Sequence, residues 1–194
     1  MPSPSKRIAI IPGHGWRGPG RFDPGAGGHG LREADIVREL ARYVVEQFPV
    51  EARIFDSPEG GPHTYTARRD AAQAWIAEGP TKAGIVLHLH VNAGSSTAAY
   101  SMAMYDPRSA AGRKTAERLS LALASASVSD VRPVAATRPT WSHAANLVEP
   151  TFTAPAGVHA GLIELGFISN PACARLYTED TLRRVARAIV AACG

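Results

Sequence analysis

Hydrophobic and polar positions along the chain follow two different periods. Short apolar runs occur at Arg7–Ile11, Glu51–Phe55, Gly84–Val91 (GIVLHLHV), Ala99–Tyr105 and Val158–Leu165, with a weaker one at Val131–Ala136. Runs of this length, bounded by Gly, Pro and Asn, read as strands. Segments of helical period lie between them. In Leu31–Phe48, the residues Val37, Leu40, Ala41, Val44 and Phe48 share one side. Asp35, Arg38, Glu39, Arg42 and Glu46 fill the other, and Pro49 ends the run. Thr64–Ala77 predicts a second helix, with Ala67, Ala71, Ala74 and Trp75 inward and Arg68, Arg69 and Asp70 nearer solvent. An alanine-rich helix over Ser109–Ala126, a short one over Pro171–Tyr177 and an amphipathic one over Glu179–Ala192 complete the set. Thr137–Gly157, which contains Trp141, His143 and Phe152, reads as a long loop, and long loops in compact domains are often functional.

Alternating strands and helices, with nearly continuous apolar strands, predict an α/β fold. The expected architecture is a single domain with a mostly parallel or mixed central sheet of about six strands, covered by helices on both faces. A length of 194 residues suits one domain with a real core. No linker leads to a second module, so residues 1–194 are read as one domain with no separate binding module. Cys173 and Cys193 lack any partner at metal spacing and read as buried free thiols. No apolar run is long enough to span a membrane, and the stretch MPSPSKRIAIIPGHG lacks the apolar core of a signal peptide. Synthesis in the cytoplasm and a monomeric state are expected.

The net charge of +4 is unevenly spread. Arg108, Arg113, Lys114, Arg118, Arg132 and Arg138 face only Glu117 and Asp130 between Pro107 and Pro139. Such a basic face suits an anionic cell envelope, a nucleic acid or an acidic substrate, or is simply a solvated helix face. No nucleic-acid-binding motif supports the second of these.

The chemistry concentrates where strands end. The first strand stops at Pro12-Gly13-His14-Gly15, and a glycine-rich loop then leads to a helix whose first turn holds Glu33. Glu33 shares the face of Val37, Leu40 and Val44. A carboxylate on that apolar side needs a partner, either a metal or the backbone amides it would cap. His88 and His90, at i and i+2, point to one side of their strand. His90 is nearer the strand end, and His88 reads as a core histidine. Glu164 closes another apolar strand, where burial would raise its pKa and suit it to act as a general base and acid, a buried salt bridge being the other role. Two histidines and a carboxylate form a catalytic zinc set. His29, His63, His143 and His159 lack this context.

These segments resemble the zinc-dependent N-acetylmuramoyl-L-alanine amidases of the Amidase_3 family, found in bacterial autolysins and phage endolysins. The resemblance lies in Gly13-His14-Gly15, Asp23-Pro24-Gly25-Ala26, Gly30-Leu31-Arg32-Glu33, His88-Leu89-His90-Val91-Asn92-Ala93 and Glu164-Leu165-Gly166-Phe167-Ile168-Ser169-Asn170. It implies Zn2+ held by His14, Glu33 and His90, with Glu164 as the catalytic glutamate. The implied substrate is peptidoglycan, cut between N-acetylmuramic acid and L-alanine. Two departures stand out: an extra Trp16–Arg21 segment, expected to reshape the groove rim, and a histidine in place of a small residue at position 88. Trp16, Trp141 and Phe152 are candidates to pack on substrate or in the core. An endolysin acting on the wall is the expected role. A zinc peptidase cutting within the stem peptide and a non-catalytic envelope-binding protein are the alternatives.

Overall fold

The computed structural model describes residues 6–47, 51–57, 64–126, 130–131, 135–136 and 157–193. The first apolar run forms β1 (Arg7–Pro12). Two small ladders follow: β2 (Gly15–Trp16) pairs with β3 (Phe22–Asp23), and β4 (Gly27–Gly28) with β5 (Leu31–Arg32). Then come α1 (Glu33–Gln47), β6 (Ala52–Ile54), α2 (Tyr65–Ala77), β7 (Gly84–Asn92), β8 (Tyr100–Tyr105) and α3 (Ala110–Ser125). The two-residue strands β9 (Asp130–Val131) and β10 (Ala135–Ala136), then β11 (Val158–Phe167), α4 (Pro171–Ala174) and α5 (Glu179–Cys193), complete the described elements.

The sheet runs β6–β1–β7–β11–β8, with β9 and β10 both pairing along β8 to make seven strands. β6, β1, β7 and β11 are mutually parallel, and β8 is antiparallel to β11, so the sheet is mixed. The expected class holds. Of the weak strand expected at Val131–Ala136, the described residues Val131, Ala135 and Ala136 lie in the short edge strands β9 and β10. Residues 137–156, with Arg138, Trp141, His143 and Phe152, and also Phe48, Pro49, His63 and Arg132, lie outside the described residues.

Alternate residues of each strand feed two cores. Ile8, Ile10, Ile85, Leu87, Leu89, Ile163 and Leu165 face α1, α3 and α5. Ala9, Ile11, Val86, Ala160 and Leu162 face α2 through Ala72 and Ile76. Helices therefore cover both faces. Val37, Leu40, Ala41 and Val44 of α1 are fully buried, as their spacing requires, and each large aliphatic side chain among them contributes roughly 1.5–3 kcal/mol. The helix begins at Glu33 rather than Leu31, because Leu31 and Arg32 are spent on the β4–β5 ladder.

The face expected for α2 is corrected. Its buried stripe is Arg68, Ala72 and Ile76, whereas Ala67, Ala71 and Ala74 are exposed. Alanines on several sides leave the helix without a strong apolar face, so packing decided its rotation. Arg68 is tolerated in the interior because its Nη1 donates to the Pro12 carbonyl at 2.7 Å and its guanidinium lies 4.5 Å from the Tyr65 ring.

Candidate metal centre and active site

β1, β7 and β11 are parallel, so their C-terminal ends meet at one edge, where open α/β sheets place their sites. His14 follows β1, His90 is near the end of β7, and Glu164 is near the end of β11, paired in register with His90. A bulge in the β11–β7 ladder falls between Glu164 and Phe167. Irregularities of this kind re-aim side chains next to functional sites. Glu33 enters from the first residue of α1.

Glu33 is almost completely buried and uses both oxygens. Oε2 accepts from the Ala26 amide at 2.9 Å and lies 3.1 Å from His14 Nε2. Oε1 accepts from the Val91 amide at 3.0 Å and lies 3.0 Å from His90 Nδ1. Burial pushes its pKa up, but hydrogen bonds from the two histidines outweigh that and hold it down at about 2. Burial lowers the pKa of His90, and the Glu33 carboxylate opposes the shift. For His14, burial also works downward, but Glu33 and Asp23 together prevail and raise it.

Among the described residues, His14, Glu33 and His90 form a group whose donor atoms all lie within 4.8 Å of one another. The backbone has been cleared around them. A Cβ on Gly25, whose φ is 68°, would sit 2.6 Å from His14 Cδ2 and 2.7 Å from Glu33 Oε2. His14 itself has φ 62°, a strained conformation for a residue with a side chain. Two imidazole nitrogens and a carboxylate oxygen suit a zinc ion. His88 is fully buried and not part of this group; its strand neighbours in register are Ile11 and Leu162.

Glu164 Oε2 is buried with no hydrogen-bond partner among the described residues. Burial, followed by repulsion from Glu33, raises its pKa to about 8. The Tyr177 hydroxyl is likewise buried without a hydrogen-bond partner there, and burial, Cys173, Glu164 and Glu33 all push its pKa up.

Sequence reasoning passed over the residues that hold His14 in place. The Tyr65 hydroxyl accepts from the His14 amide at 2.8 Å, and Arg68 grips Pro12 two residues earlier. Their i, i+3 spacing on one helix turn was the available signal. Asp23 Oδ2 lies 2.9 Å from His14 Nδ1 and accepts from Arg17. The extra Trp16–Arg21 segment forms most of the β2–β3 hairpin, closed by an edge-to-face contact of Trp16 with Phe22 at 5.4 Å. His29 lies at the surface, and His159 bonds Thr115 Oγ1 at 2.8 Å, so neither joins the cluster.

The profile of the family described as N-acetylmuramoyl-L-alanine amidase, Amidase_3, matches residues 8–193. The chain belongs to the Amidase_3 family. Solved amidases share its fold at low identity. An N-acetylmuramoyl-L-alanine amidase from Clostridium difficile 630 is 19% identical, with a TM-score of 0.75 over 98% of this chain and 95% of its own. The catalytic domain of the CD27L endolysin targeting Clostridia difficile is 20% identical, with a TM-score of 0.73 over 97% and 96%. The amidase Ami1 from Mycobacterium smegmatis is 16% identical, with a TM-score of 0.67 over 97% and 95%. None of the curated proteins searched matches the chain. No helix among the described residues of this Amidase_3 member is long and apolar enough to cross a membrane.

Proposed function

We propose that this Amidase_3 member is a zinc-dependent peptidoglycan amidase with His14, Glu33 and His90 as metal ligands and Glu164 as general base and acid. The observation that carries this reading is the meeting of three donor atoms within 4.8 Å at the sheet edge where Glu164 has a pKa raised to about 8. Zinc, when bound, acidifies water and polarises the scissile carbonyl. Glu164 takes a proton from the attacking water and returns it to the departing amine of L-alanine. Its ionised form would be favoured by a cation bound beside it, and its poor solvation then makes it a stronger base than an exposed carboxylate. Glu33 stays ionised, since hydrogen bonds already compensate its charge.

The test is digestion of purified peptidoglycan with and without chelator, followed by mass analysis of the released products. Free stem peptides beginning at L-alanine, lost with chelator and restored by zinc, are expected. Metal-dependent cuts inside the peptide would move the scissile bond and identify a peptidase. Absence of release by the zinc-loaded protein would leave an envelope-binding protein.

A lytic, endolysin-like role is part of this reading, supported by the likeness to an endolysin catalytic domain. Contact with an anionic envelope is the other part. On the basic face expected from sequence, Arg113 pairs with Glu117 at 2.9 Å and Arg108 with Asp106 at 2.8 Å. Lys114 and Arg118, with Lys6, His159 and Glu117, line an open depression of about 540 Å³. It lies towards the N-terminal ends of β1 and β11, away from the metal-site edge. Lys114→Glu with Arg118→Glu should weaken binding to intact anionic walls while leaving cleavage of a soluble muramyl peptide unchanged. Unchanged wall binding would remove this part of the reading.

A further inference from the structure

We propose that Arg17 is a positioning residue for the metal site, acting on His14 through Asp23; the inference rests on the reading of His14 as a ligand. Arg17 Nε and Nη2 both donate to Asp23 Oδ2, at 3.1 and 2.8 Å. The same oxygen lies 2.9 Å from His14 Nδ1, and Oδ1 accepts from the Gly25 amide at 3.0 Å. An ionised carboxylate only accepts, so His14 Nδ1 must carry its hydrogen and donate it. With Nδ1 so engaged, Nε2, 3.1 Å from Glu33 Oε2, is the nitrogen that would give up its hydrogen to a bound metal. Partners of this kind fix the tautomer and the ring orientation of a ligating histidine.

Arg17 is held in place as firmly as it holds. Its amide donates to the Arg21 carbonyl at 2.7 Å, directly after the Trp16–Phe22 pair of the β2–β3 ladder. Its guanidinium lies 4.8 Å from the Tyr65 ring, and the Tyr65 hydroxyl accepts from the His14 amide. Arg17, Asp23, His14 and Tyr65 thus close a ring of contacts that grips His14 at both ring and backbone. This grip matters because His14 has a positive φ, which a free loop would relax. The Arg17 side chain is only about two-thirds buried, at 31% exposure, so replacing it opens no core cavity.

Charge alone and positioning predict opposite signs. Removing a cation beside a cation site should tighten metal binding if charge dominates. It should loosen binding if orientation dominates. The experiment is a chelator-competition measurement of zinc affinity for the whole protein and for Arg17→Gln, Arg17→Lys, Asp23→Asn and Arg17→Gln/Asp23→Asn. Thermal melts of the metal-free proteins, and the visible spectrum of the cobalt-substituted ones, accompany it. Asp23→Asn is expected to weaken zinc by roughly 10–100-fold. Arg17→Gln should weaken it by about 3–10-fold, with Arg17→Lys in between, on the scale of losses when an outer partner of a ligand is removed. The double variant should bind about as weakly as Asp23→Asn, because Asp23 is the contact through which Arg17 reaches the His14 ring. Zinc binding by the wild type with unchanged or tighter binding by Arg17→Gln would overturn the inference alone. A wild type that binds no zinc would overturn the ligand reading and the inference with it.

Discussion

Two glutamates at the same edge of the sheet have opposite electrostatic fates. Glu33 is buried, yet its pKa is held at about 2, while that of Glu164 rises to about 8. Burial pushes both upward. The difference is hydrogen bonding: Glu33 accepts two backbone amides and faces two imidazoles, whereas Glu164 Oε2 has no partner among the described residues. Burial alone therefore does not tell a ligand from a base. The donors around each carboxylate do, and they suit one to hold a cation and the other to move a proton.

The largest effect that would sharpen this contrast is Glu164→Gln. Turnover on a soluble muramyl peptide should fall by about 10²–10⁴-fold, the range for a lost general base. Zinc affinity, read by chelator competition, should stay within about threefold. An active Glu164→Gln protein would mean that another group moves the proton. Glu33→Gln should do the reverse, weakening zinc by on the order of 100-fold and losing activity in step with zinc occupancy. If both variants changed affinity equally, the division of roles would fail.

A smaller effect concerns stability against pH in the metal-free protein. Folded Glu164 keeps its proton up to about pH 8, whereas the unfolded chain releases it near its ordinary value of 4.5. Stability from this group is complete below that ordinary value and is lost as pH rises through about 8. Glu33 has the opposite sign: its contribution is present above 4.5 and is lost as pH falls through about 2. Each is worth on the order of a few kcal/mol. Urea unfolding across pH should therefore show a decline between about pH 4.5 and 8 that Glu164→Gln removes, and an acid decline below 4.5 that it leaves intact. The smallest effect belongs to Asp35, two residues beyond Glu33, which is half exposed and paired with Arg32. Asp35→Asn should change unfolding free energy by no more than about 0.5 kcal/mol. A large loss there would mean that position along the helix, rather than the donor set, governs these carboxylates.

The two helices that flank the site show how far sequence reaches. In α1 the apolar positions are large and the polar ones charged, so spacing alone identified Val37, Leu40, Ala41 and Val44 as buried. In α2 alanine occupies several faces, and solvation arguments placed Arg68 outward. It is buried because the Pro12 carbonyl and the Tyr65 ring are there to receive it, and no local pattern encodes those partners.

Read alone, the sequence determined the α/β class, the strand that leads to His14, those that carry His90 and Glu164, and the apolar side of α1 on which Glu33 lies. These follow from periods of two and 3.6 residues, which are local properties of the chain. Tertiary structure decided which side of α2 is inward, and that Tyr65, Arg17 and Asp23 reach His14. Each of these depends on distances between segments far apart in sequence, and such distances are set by strand register and packing, which no single segment contains.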